Sequence, residues 1–592
     1  MKEFLKYTLA TVVGIFLAGI VFTILGIISL VGMVATSDTE TKVKENSLFE
    51  LKLDGTIVER SQAEDPFTKL LGANTSTSYG LDDILSSIKK AKDNDNIKGI
   101  YIETGATASI EFAACEAIRR ALVDFKDSGK FIVAYGDQYG QDTYYLASVA
   151  DKIFINPQGT LSWHGLASQP IFYKELLEKI GVKMQVFKVG TYKSAVEPYI
   201  ATSMSEANRE QVTVFLDDLW GKMVNDISTS RNISADSLNV YADRLMDLQP
   251  VQTYLDYGLV DSLVYKSDVR DYLKKMTNRK EDERIRSYLV SDMVNVKRNV
   301  PKDKSGNIIA VYYASGDIDG GGVISTGPAG IQSPKVVKDL RKLREDNTVK
   351  AVVLRVNSPG GSAYGSEQIW NEVVALKAEK PVIVSMGDYA ASGGYYISCA
   401  ADTIVAESTT LTGSIGIFGV FPDVSELMNT KLGVHFDMVK TNKMSDFGSM
   451  SRPFNTDEQQ ILQNYINNGY SLFVKRCADG RSMTTEAIEA IAEGRVWTGA
   501  RAKELGLVDE IGGLDRAIEL ASISAGIDAY TVVNYPDKEG FLSTFLEGEK
   551  DRMVKSKLQE YLGIYFNGLQ YVKGLNEMDP IQARIPFDLN IH

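Results

Sequence analysis

Two short turns in the second half of the chain carry the residue types that acyl-transfer chemistry needs. Ser392 lies in AASGGY, residues 390–395, after a predicted strand and between small residues. A serine on such a strand-to-helix turn can expose its hydroxyl group while the following backbone N–H groups stay free. The second turn, NSPGGS at residues 357–362, also follows a predicted strand. Either turn alone is typical of plain packing, but together they could bring two N–H donors to one point, as an oxyanion hole requires.

A serine nucleophile needs a general base, and the chain holds only three histidines. His435 lies in GVHFDM, a predicted strand, and His164 lies in the first half of the chain. A buried lysine is the alternative, because burial disfavours the charged amine and lowers its pKa. The candidates are Lys193, in the run GTYKSA, and Lys440 and Lys443, in VKTNKM. Residue spacing alone leaves the choice among these bases open.

The elements that must position these side chains occur twice. Residues 131–153 align with residues 382–404 at a constant offset of 251 (382 minus 131), with glycine, aspartate and tyrosine positions in the same order. Gln141 in the first copy aligns with Ser392 in the second, and ETGATAS stands where the second copy has the NSPGGS turn. The differences between the copies therefore coincide with the candidate chemistry. The charged stretch 266–307 is predicted to be a hinge between them.

Strand-like runs alternate with helical stretches in both copies, such as 113–125 and 366–378, which predicts an α/β fold built from βαβ units. The predicted strands are Ile100–Glu103, Phe131–Tyr135, Ile153–Ile155, Ile308–Tyr313, Ala351–Val356, Val382–Met386 and Thr403–Ala406. We expect three regions: an amino-terminal stub and anchor at 1–45, a first copy at 46–300 and a second copy at 301–592. Within the last region, residues 544–562 are predicted to form an amphipathic helix for packing or oligomer contact.

Composition narrows the possible functions. The net charge of −13 argues against general nucleic-acid binding. Three cysteines are an odd number and fit neither a disulfide framework nor a cysteine-rich zinc module. The sequence contains no phosphate-binding loop, metal-ligand set or nucleotide fingerprint. We therefore expect no cofactor and no metal.

The amino terminus predicts a single membrane anchor. From Tyr7 to Ser37 no charged residue occurs, and this stretch is longer than the ~20 residues needed to cross a bilayer. Its length and the lack of an A-x-A-like site favour an uncleaved anchor over a signal peptide. Lys2 and Lys6 place the short end in the cytoplasm, so the large body is expected on the extracytoplasmic side.

Five segments together resemble the long, duplicated signal peptide peptidases of the S49 family, which are membrane-anchored bacterial serine proteases with a serine and lysine dyad. They are GTYKSAVEP (190–198), LRVNSPGGS (354–362), MGDYAASGGYY (386–396), STTLTGSIGIFG (408–419) and RVWTGARAKELGLVD (495–509). The resemblance runs from the anchor to about residue 521. The NSPGG element is also similar to Clp-type serine proteases, so the combination of segments is what makes the resemblance specific.

The resemblance implies a tandem duplication of a ClpP- or crotonase-like spiral α/β domain with one active site shared between the copies. Ser392 would be the nucleophile, Lys193 the general base and Ser414 the hydroxyl that orients the lysine. The backbone N–H groups of Gly393 and Gly361 would form the oxyanion hole. In the first copy Trp163 stands opposite Ser414, so that copy would lack both hydroxyl groups.

The resemblance further implies a homotetramer on the outer face of the bacterial inner membrane, where it would degrade remnant signal peptides and similar apolar peptides. Three alternatives remain open at the level of sequence. They are a quality-control protease of broader range, an acyl-CoA enzyme of the crotonase fold and a non-catalytic membrane scaffold.

Overall fold

The computed structural model describes residues 40–61, 78–105, 110–297, 303–319, 330–449, 451–538 and 581–584, together with eight positions between Phe4 and Gly19. In these parts of the chain, none of the helices combines the length and the apolar character needed to span a bilayer. The predicted anchor at residues 7–37 lies almost entirely outside the described residues, and the predicted amphipathic helix at 544–562 lies wholly outside them.

The first half of the chain forms a six-stranded parallel sheet in the order β8-β6-β5-β4-β1-β9. The strands of this half are β1 (Ser47–Leu53), β2 (Thr56–Val58), β3 (Ser78–Gly80), β4 (Ile97–Thr104), β5 (Phe131–Tyr139), β6 (Lys152–Leu161), β7 (Lys183–Lys188), β8 (Ser262–Leu263) and β9 (Arg286–Tyr288). The helices are α1 (Leu81–Asp93), α2 (Phe112–Lys126), α3 (Gln141–Ala147), α4 (Lys174–Ile180), α5 (Glu197–Ile200), α6 (Glu206–Arg231), α7 (Ala235–Ala242), α8 (Val251–Asp256), α9 (Lys266–Met276) and α10 (Val290–Met293).

The second half forms an eight-stranded sheet with the main order β19-β17-β15-β13-β10-β21, and β16 and β20 extend from β15. The strands of this half are β10 (Ile308–Ser315), β11 (Ile318–Asp319), β12 (Ile331–Gln332), β13 (Val349–Ser358), β14 (Gly360–Ser362), β15 (Val382–Ala391), β16 (Thr403–Ala406), β17 (Leu411–Gly413), β18 (Phe418–Asp423), β19 (Val496–Thr498), β20 (Glu510–Ile511), β21 (Thr531–Tyr535) and β22 (Ile581–Arg584). The helices are α11 (Ser333–Glu345), α12 (Ala363–Lys377), α13 (Gly393–Ser398), α14 (Thr456–Arg481), α15 (Thr485–Glu489), α16 (Gly499–Glu504) and α17 (Leu514–Ala525).

The seven predicted strands all occur, most of them longer than predicted, and the two predicted helices are α2 and α12. The central strand β13 is buried along nearly its whole length, as a parallel strand covered on both faces must be. The two sheets also share a detail of register. Strand β5 pairs with β6 in two separate stretches, and β15 pairs with β16 and then β17 in the corresponding stretches. The two halves therefore place their turns at equivalent edges.

A third sheet joins the halves beside the candidate site. Its order is β12-β11-β14-β22-β18-β7. Strand β7 comes from the first half and pairs antiparallel with β18 of the second half over six residue pairs, from Lys183 with Asp423 to Lys188 with Phe418. Because β7 ends five residues before Lys193, this pairing carries the lysine of one half to the serine of the other.

Two segments have a local structure that the sequence does not predict. The stretch 266–307, predicted to be a hinge, contains α9, α10 and β9, and β9 is the edge strand beside β1. Its charged residues cover the solvent side of an ordered edge. The sequence pattern of GVHFDM, residues 433–438, predicts a strand, but these residues form no strand and are exposed. It has the strand-like alternation, but no neighbouring strand of this chain pairs with it among the described residues.

Candidate active site

Ser392 lies at the junction between β15 and α13, in a backbone conformation that few serines adopt. Its φ of 55° and ψ of −112° are unfavourable for a residue with a Cβ atom, and such strain is concentrated at functional sites. The Ser392 N–H group donates a hydrogen bond of 2.8 Å to the carbonyl oxygen of Gly413 on β17. The side chain is fully buried. The neighbouring strand therefore holds the strand-to-helix turn, which the sequence predicts, in this strained form.

The glycine turn approaches this serine closely. A Cβ atom on Gly360 would lie 2.9 Å from the backbone nitrogen of Gly393 and 2.0 Å from the carbonyl oxygen of Ala583. The φ of Gly360 is also positive, at 107°, so only glycine fits there. Gly361 is the next residue of β14 and lies between Ile318 and Ala583 in the third sheet. The two turns therefore converge, as their positions after neighbouring strands predict.

Lys193 lies in the loop between β7 and α5, and its side chain is fully buried. Its Nζ atom lies 2.8 Å from Ser392 Oγ, 3.0 Å from Ser414 Oγ and 3.1 Å from the carbonyl oxygen of Ser414. Burial lowers the pKa of the Lys193 amine well below its ordinary value. A neutral amine has one lone pair and two N–H groups, which matches three polar neighbours at these distances.

Ser414 is held by the segment that follows α15. Its N–H group donates to the carbonyl oxygen of Arg495 at 2.7 Å, and its hydroxyl group donates to that of Gly494 at 3.2 Å. A Cβ atom on Gly494 would lie 2.7 Å from the Cβ atom of Lys193, and the φ of Gly494 is 79°. This glycine lets the backbone pass directly against the lysine. Gly494 is not among the residues that the sequence singles out, although it directly precedes RVWTGARAKELGLVD.

The other candidate bases lie elsewhere. His164 and His435 are exposed. Lys440 pairs with Asp446 at 2.9 Å, and Lys443 pairs with Asp457; both lysines are on the surface. Ser392 is buried, so these four side chains are not placed to accept its proton.

The equivalent positions of the first half are filled by structural side chains. The Gln141 side chain donates to the carbonyl oxygen of Gly165 and accepts from the N–H groups of His164 and Gly165. The Trp163 indole is buried and donates to the carbonyl oxygen of Leu238 at 2.8 Å. Neither position offers a hydroxyl group, so the first half supplies the lysine and the second half supplies both serines.

A buried ion pair supports the glycine turn from the first half. Glu59 accepts two hydrogen bonds of 2.9 Å from the guanidinium group of Arg355 on β13 and one of 3.2 Å from the Asn357 side chain. The Asn357 side chain in turn accepts the Tyr389 N–H group at 3.0 Å. Next to Tyr389, burial raises the pKa of Asp388 to about 7. The NSPGGS turn thus depends on contacts that no local sequence pattern indicates.

A short strand from the far end of the chain lies beside the glycine turn. Strand β22 runs antiparallel to β14, with Ala583 opposite Gly361, and its other edge pairs antiparallel with β18. The Ala583 side chain is fully buried. The four residues of this strand have no composition signal of their own, so the sequence does not predict their position.

Comparison with known proteins gives two family matches. Residues 93–280 and 374–528 match the family model described as Peptidase family S49. Residues 324–411, which include the glycine turn and Ser392, match the model described as Clp protease.

Three similar proteins cover most of the chain. Protease 4 of Salmonella typhi is 38% identical over 528 residues, which are 86% of this chain and 84% of that protein. Protease 4 of Haemophilus influenzae is 33% identical over 559 residues, covering 91% and 90%. The chloroplastic serine protease SPPA of Arabidopsis thaliana is 31% identical over 489 residues, covering 82% and 70%.

Proposed function

Because the chain belongs to peptidase family S49 and is a serine protease, we propose that Ser392 is its nucleophile and Lys193 its general base. The observation that carries this assignment is the 2.8 Å distance between Lys193 Nζ and Ser392 Oγ, two side chains that are both fully buried. The first half of the chain supplies Lys193 and the second half supplies Ser392. Each chain therefore has one site, and neither half is sufficient alone.

The reaction follows from this geometry. The neutral Lys193 amine takes the Ser392 proton while Oγ attacks the carbonyl carbon of a peptide. The N–H groups of Gly393 and Gly361 stabilise the oxyanion, a contribution worth about 10²–10³-fold in rate per donor in a comparable enzyme. The protonated lysine then gives its proton to the leaving amine. Water hydrolyses the acyl-enzyme, and Ser414 holds the amine in line throughout.

The substrate is proposed to bind as an added β-strand between β14 and β18. Strand β22 supports this mode, because an extended stretch of polypeptide already pairs with both neighbours there. Main-chain pairing gives affinity that does not depend on sequence, which suits remnant signal peptides and similar apolar peptides. A broader extracytoplasmic quality-control protease is the alternative. Cleavage of signal peptides without cleavage of an unfolded polar protein would favour a role in signal-peptide degradation over the quality-control role.

The architecture proposed is a tandem duplication of a crotonase-like domain, with copies at 46–300 and 301–592, behind one anchor at residues 7–37. The uncharged run and the lysines at positions 2 and 6 support an inner-membrane anchor with the protease body on the periplasmic side. The topology can be tested with a cysteine introduced at the exposed position Lys183. Reaction of this cysteine with a thiol probe added on the periplasmic side, but not with one on the cytoplasmic side, would support the topology. The reverse result would contradict it.

A homotetramer is proposed from two segments that expose apolar side chains and form no strand. Strands β7 and β18 correspond, by the offset of 251 residues, to 434–439 and 167–172. Neither of these segments forms a strand, and both expose apolar side chains, including Val439 at 98% and Ile171 at 64%. The 434–439 edge of one copy can pair with the 167–172 edge of the next copy as β7 pairs with β18. Head-to-tail contacts of this kind close into a ring when the rotation from one copy to the next completes a full turn. Light scattering of Val439→Asp should then give a smaller species than the wild-type chain; an unchanged mass would contradict this interface.

The dyad is tested with the full chain in detergent and a defined apolar peptide. Ser392→Ala and Lys193→Ala should each abolish cleavage while the elution volume in size-exclusion chromatography stays unchanged. His164→Ala and Lys443→Ala are matched controls at exposed, rejected candidate bases and should cleave normally. Full activity of Lys193→Ala would remove the dyad and return the choice to Lys440, Lys443 or His435.

A further inference from the structure

A buried network of polar side chains surrounds the loop that carries Lys193. Gln211, Asn208, Ser194 and Glu197 are each at most 5% exposed. Gln211 and Asn208 lie in the first two turns of α6, whose first turn is capped by the Ser205 side chain. Buried polar groups are retained only where hydrogen bonds satisfy them, so such a cluster has a specific geometry to maintain.

Gln211 contacts the residues on both sides of the lysine. Its Nε2 group donates to the carbonyl oxygen of Tyr192 at 3.0 Å and to the Ser194 hydroxyl oxygen at 2.9 Å. The Ser194 hydroxyl group donates in turn to Asn208 Oδ1 at 2.9 Å. One amide group therefore holds the backbone carbonyl before Lys193 and the side chain of the residue after it.

The other end of the same amide contacts the second half of the chain. Gln211 Oε1 accepts the N–H group of Val496, the first residue of β19, at 3.2 Å. Val496 pairs with Gly413, whose carbonyl oxygen accepts the Ser392 N–H group. The carbonyl oxygen of the preceding residue, Arg495, accepts the Ser414 N–H group. One side chain thus joins the lysine loop to the backbone that positions both serines.

Asn208 and Glu197 support this amide: Gln211 Nε2 also donates to Asn208 Oδ1 at 3.1 Å, and Glu197 in turn binds Asn208. Asn208 Nδ2 donates to Glu197 Oε2 at 2.9 Å, and the Ser205 hydroxyl group donates to Glu197 Oε1 at 2.6 Å. Glu197 is the first residue of α5, four residues after the lysine. The loop is therefore fixed at its middle by Gln211 and at its end by Glu197.

We propose that Gln211 is a positioning residue for the reaction: it sets the Lys193 amine against Ser392 and Ser414 by holding Tyr192, Ser194 and Val496 in one register. The inference rests on the proposed roles of Lys193 and Ser392. Gln211 touches neither the reacting atoms nor the lysine amine. Its removal should therefore affect the catalytic step more than substrate binding, because misplacing a catalytic group by about 1 Å can cost about 10²-fold in rate.

The test compares Gln211→Met, which keeps the length but has no hydrogen-bonding amide, with Gln252→Met, which replaces an exposed glutamine on α8. In the full chain with a defined apolar peptide, Gln211→Met should lower kcat by about 10- to 100-fold with KM within about twofold. The ascending limb of its pH–rate profile should move to higher pH, as the amine becomes less enclosed. Gln252→Met should match the wild-type chain.

Two outcomes separate the possible failures. If Lys193→Ala is inactive but Gln211→Met keeps its kcat and its pH limb, Gln211 has only a structural role and the inference is overturned. A lowered melting temperature alone would lead to the same conclusion. If Lys193→Ala stays active in the same assay, the dyad itself is wrong and the positioning role falls with it.

Discussion

Replacing Lys193 by methionine should raise the stability of the protein by an amount that shrinks as the pH rises. In the unfolded chain the amine titrates near pH 10.4, whereas burial lowers its folded pKa well below that value. Between these two pKa values the unfolded state binds more protons, so the wild-type unfolding free energy rises with pH by about 1.4 kcal/mol per unit. Methionine fills similar space and does not titrate.

The sign follows from the depressed folded pKa. The cost of the buried amine is largest below its folded pKa, falls as the pH rises, and disappears above the unfolded pKa. Removal of the hydrogen bonds to Ser392 and Ser414 adds a cost that does not change with pH. Only the slope of the difference therefore reports the amine. For a cooperative unit of 150–250 residues, a slope of about 1.4 kcal/mol per pH unit corresponds to a change in melting temperature of roughly 3 to 6 °C per pH unit.

The assay is thermal unfolding of the wild-type, Lys193→Met and Lys183→Met chains at several pH values between 6 and 9. Lys183 is the first residue of β7, the strand that precedes the Lys193 loop. Its side chain is exposed and pairs with Glu426, so Lys183→Met controls for the loss of a surface lysine. The Lys193→Met advantage should narrow with rising pH, while the Lys183→Met difference stays flat. A Lys193→Met difference that does not change with pH would refute the assignment of a neutral, buried amine.

Three further predictions follow from contacts around the site. Ser414→Ala should lower kcat about 5-fold at similar KM, because Lys193 keeps the Ser414 carbonyl but loses one hydrogen bond worth about 1 kcal/mol. Steady-state kinetics with unchanged kcat would contradict this. Ala583→Glu places a carboxyl group at a fully buried position of β22 and should displace that strand from β14. The apparent KM for added peptide should then fall several-fold, because β22 no longer occupies the proposed binding position of the peptide. An unchanged KM would count against strand addition. Arg355→Met leaves the buried Glu59 carboxylate without its cation and should lower the free energy of unfolding by about 3–5 kcal/mol. The double variant with Glu59→Gln should recover much of the lost melting temperature. Equal losses in the single and the double variant would argue against a buried charge.

The sequence predicts the parts of this protein whose signals are local or repeated. The strands around residues 351–356 and 382–386 can be identified because parallel strands are continuously apolar, and the two glycine turns because few residues fit them. The offset of 251 residues relates the two halves from the order of their residues alone. The choice of Lys193 over Lys440 and Lys443 needs the family resemblance, since all three lie among small or polar neighbours.

The remaining features depend on contacts between distant parts of the chain. Strand β22 has only four residues and acquires its role from β14 and β18 on either side. GVHFDM has a strand-like pattern but no partner among the described residues of the same chain, so its alternation leads to a wrong prediction. Gln211 and Glu59 are ordinary polar residues in sequence. Their importance comes from burial and from partners 285 and 296 residues away, Val496 and Arg355.

The pH dependence of kcat/KM for the wild-type chain tests the central assignment most directly, because it reports ionisation in the free enzyme. With a peptide that does not titrate, the activity should rise along a single limb whose pKa lies well below 10.5, the ordinary value for lysine, and then level off as the Lys193 amine loses its proton. Lys193→Met should not cleave the peptide at any pH in this range, so its profile should have no limb. A limb near the ordinary lysine value, or the same limb in Lys193→Met, would contradict a neutral lysine acting on Ser392.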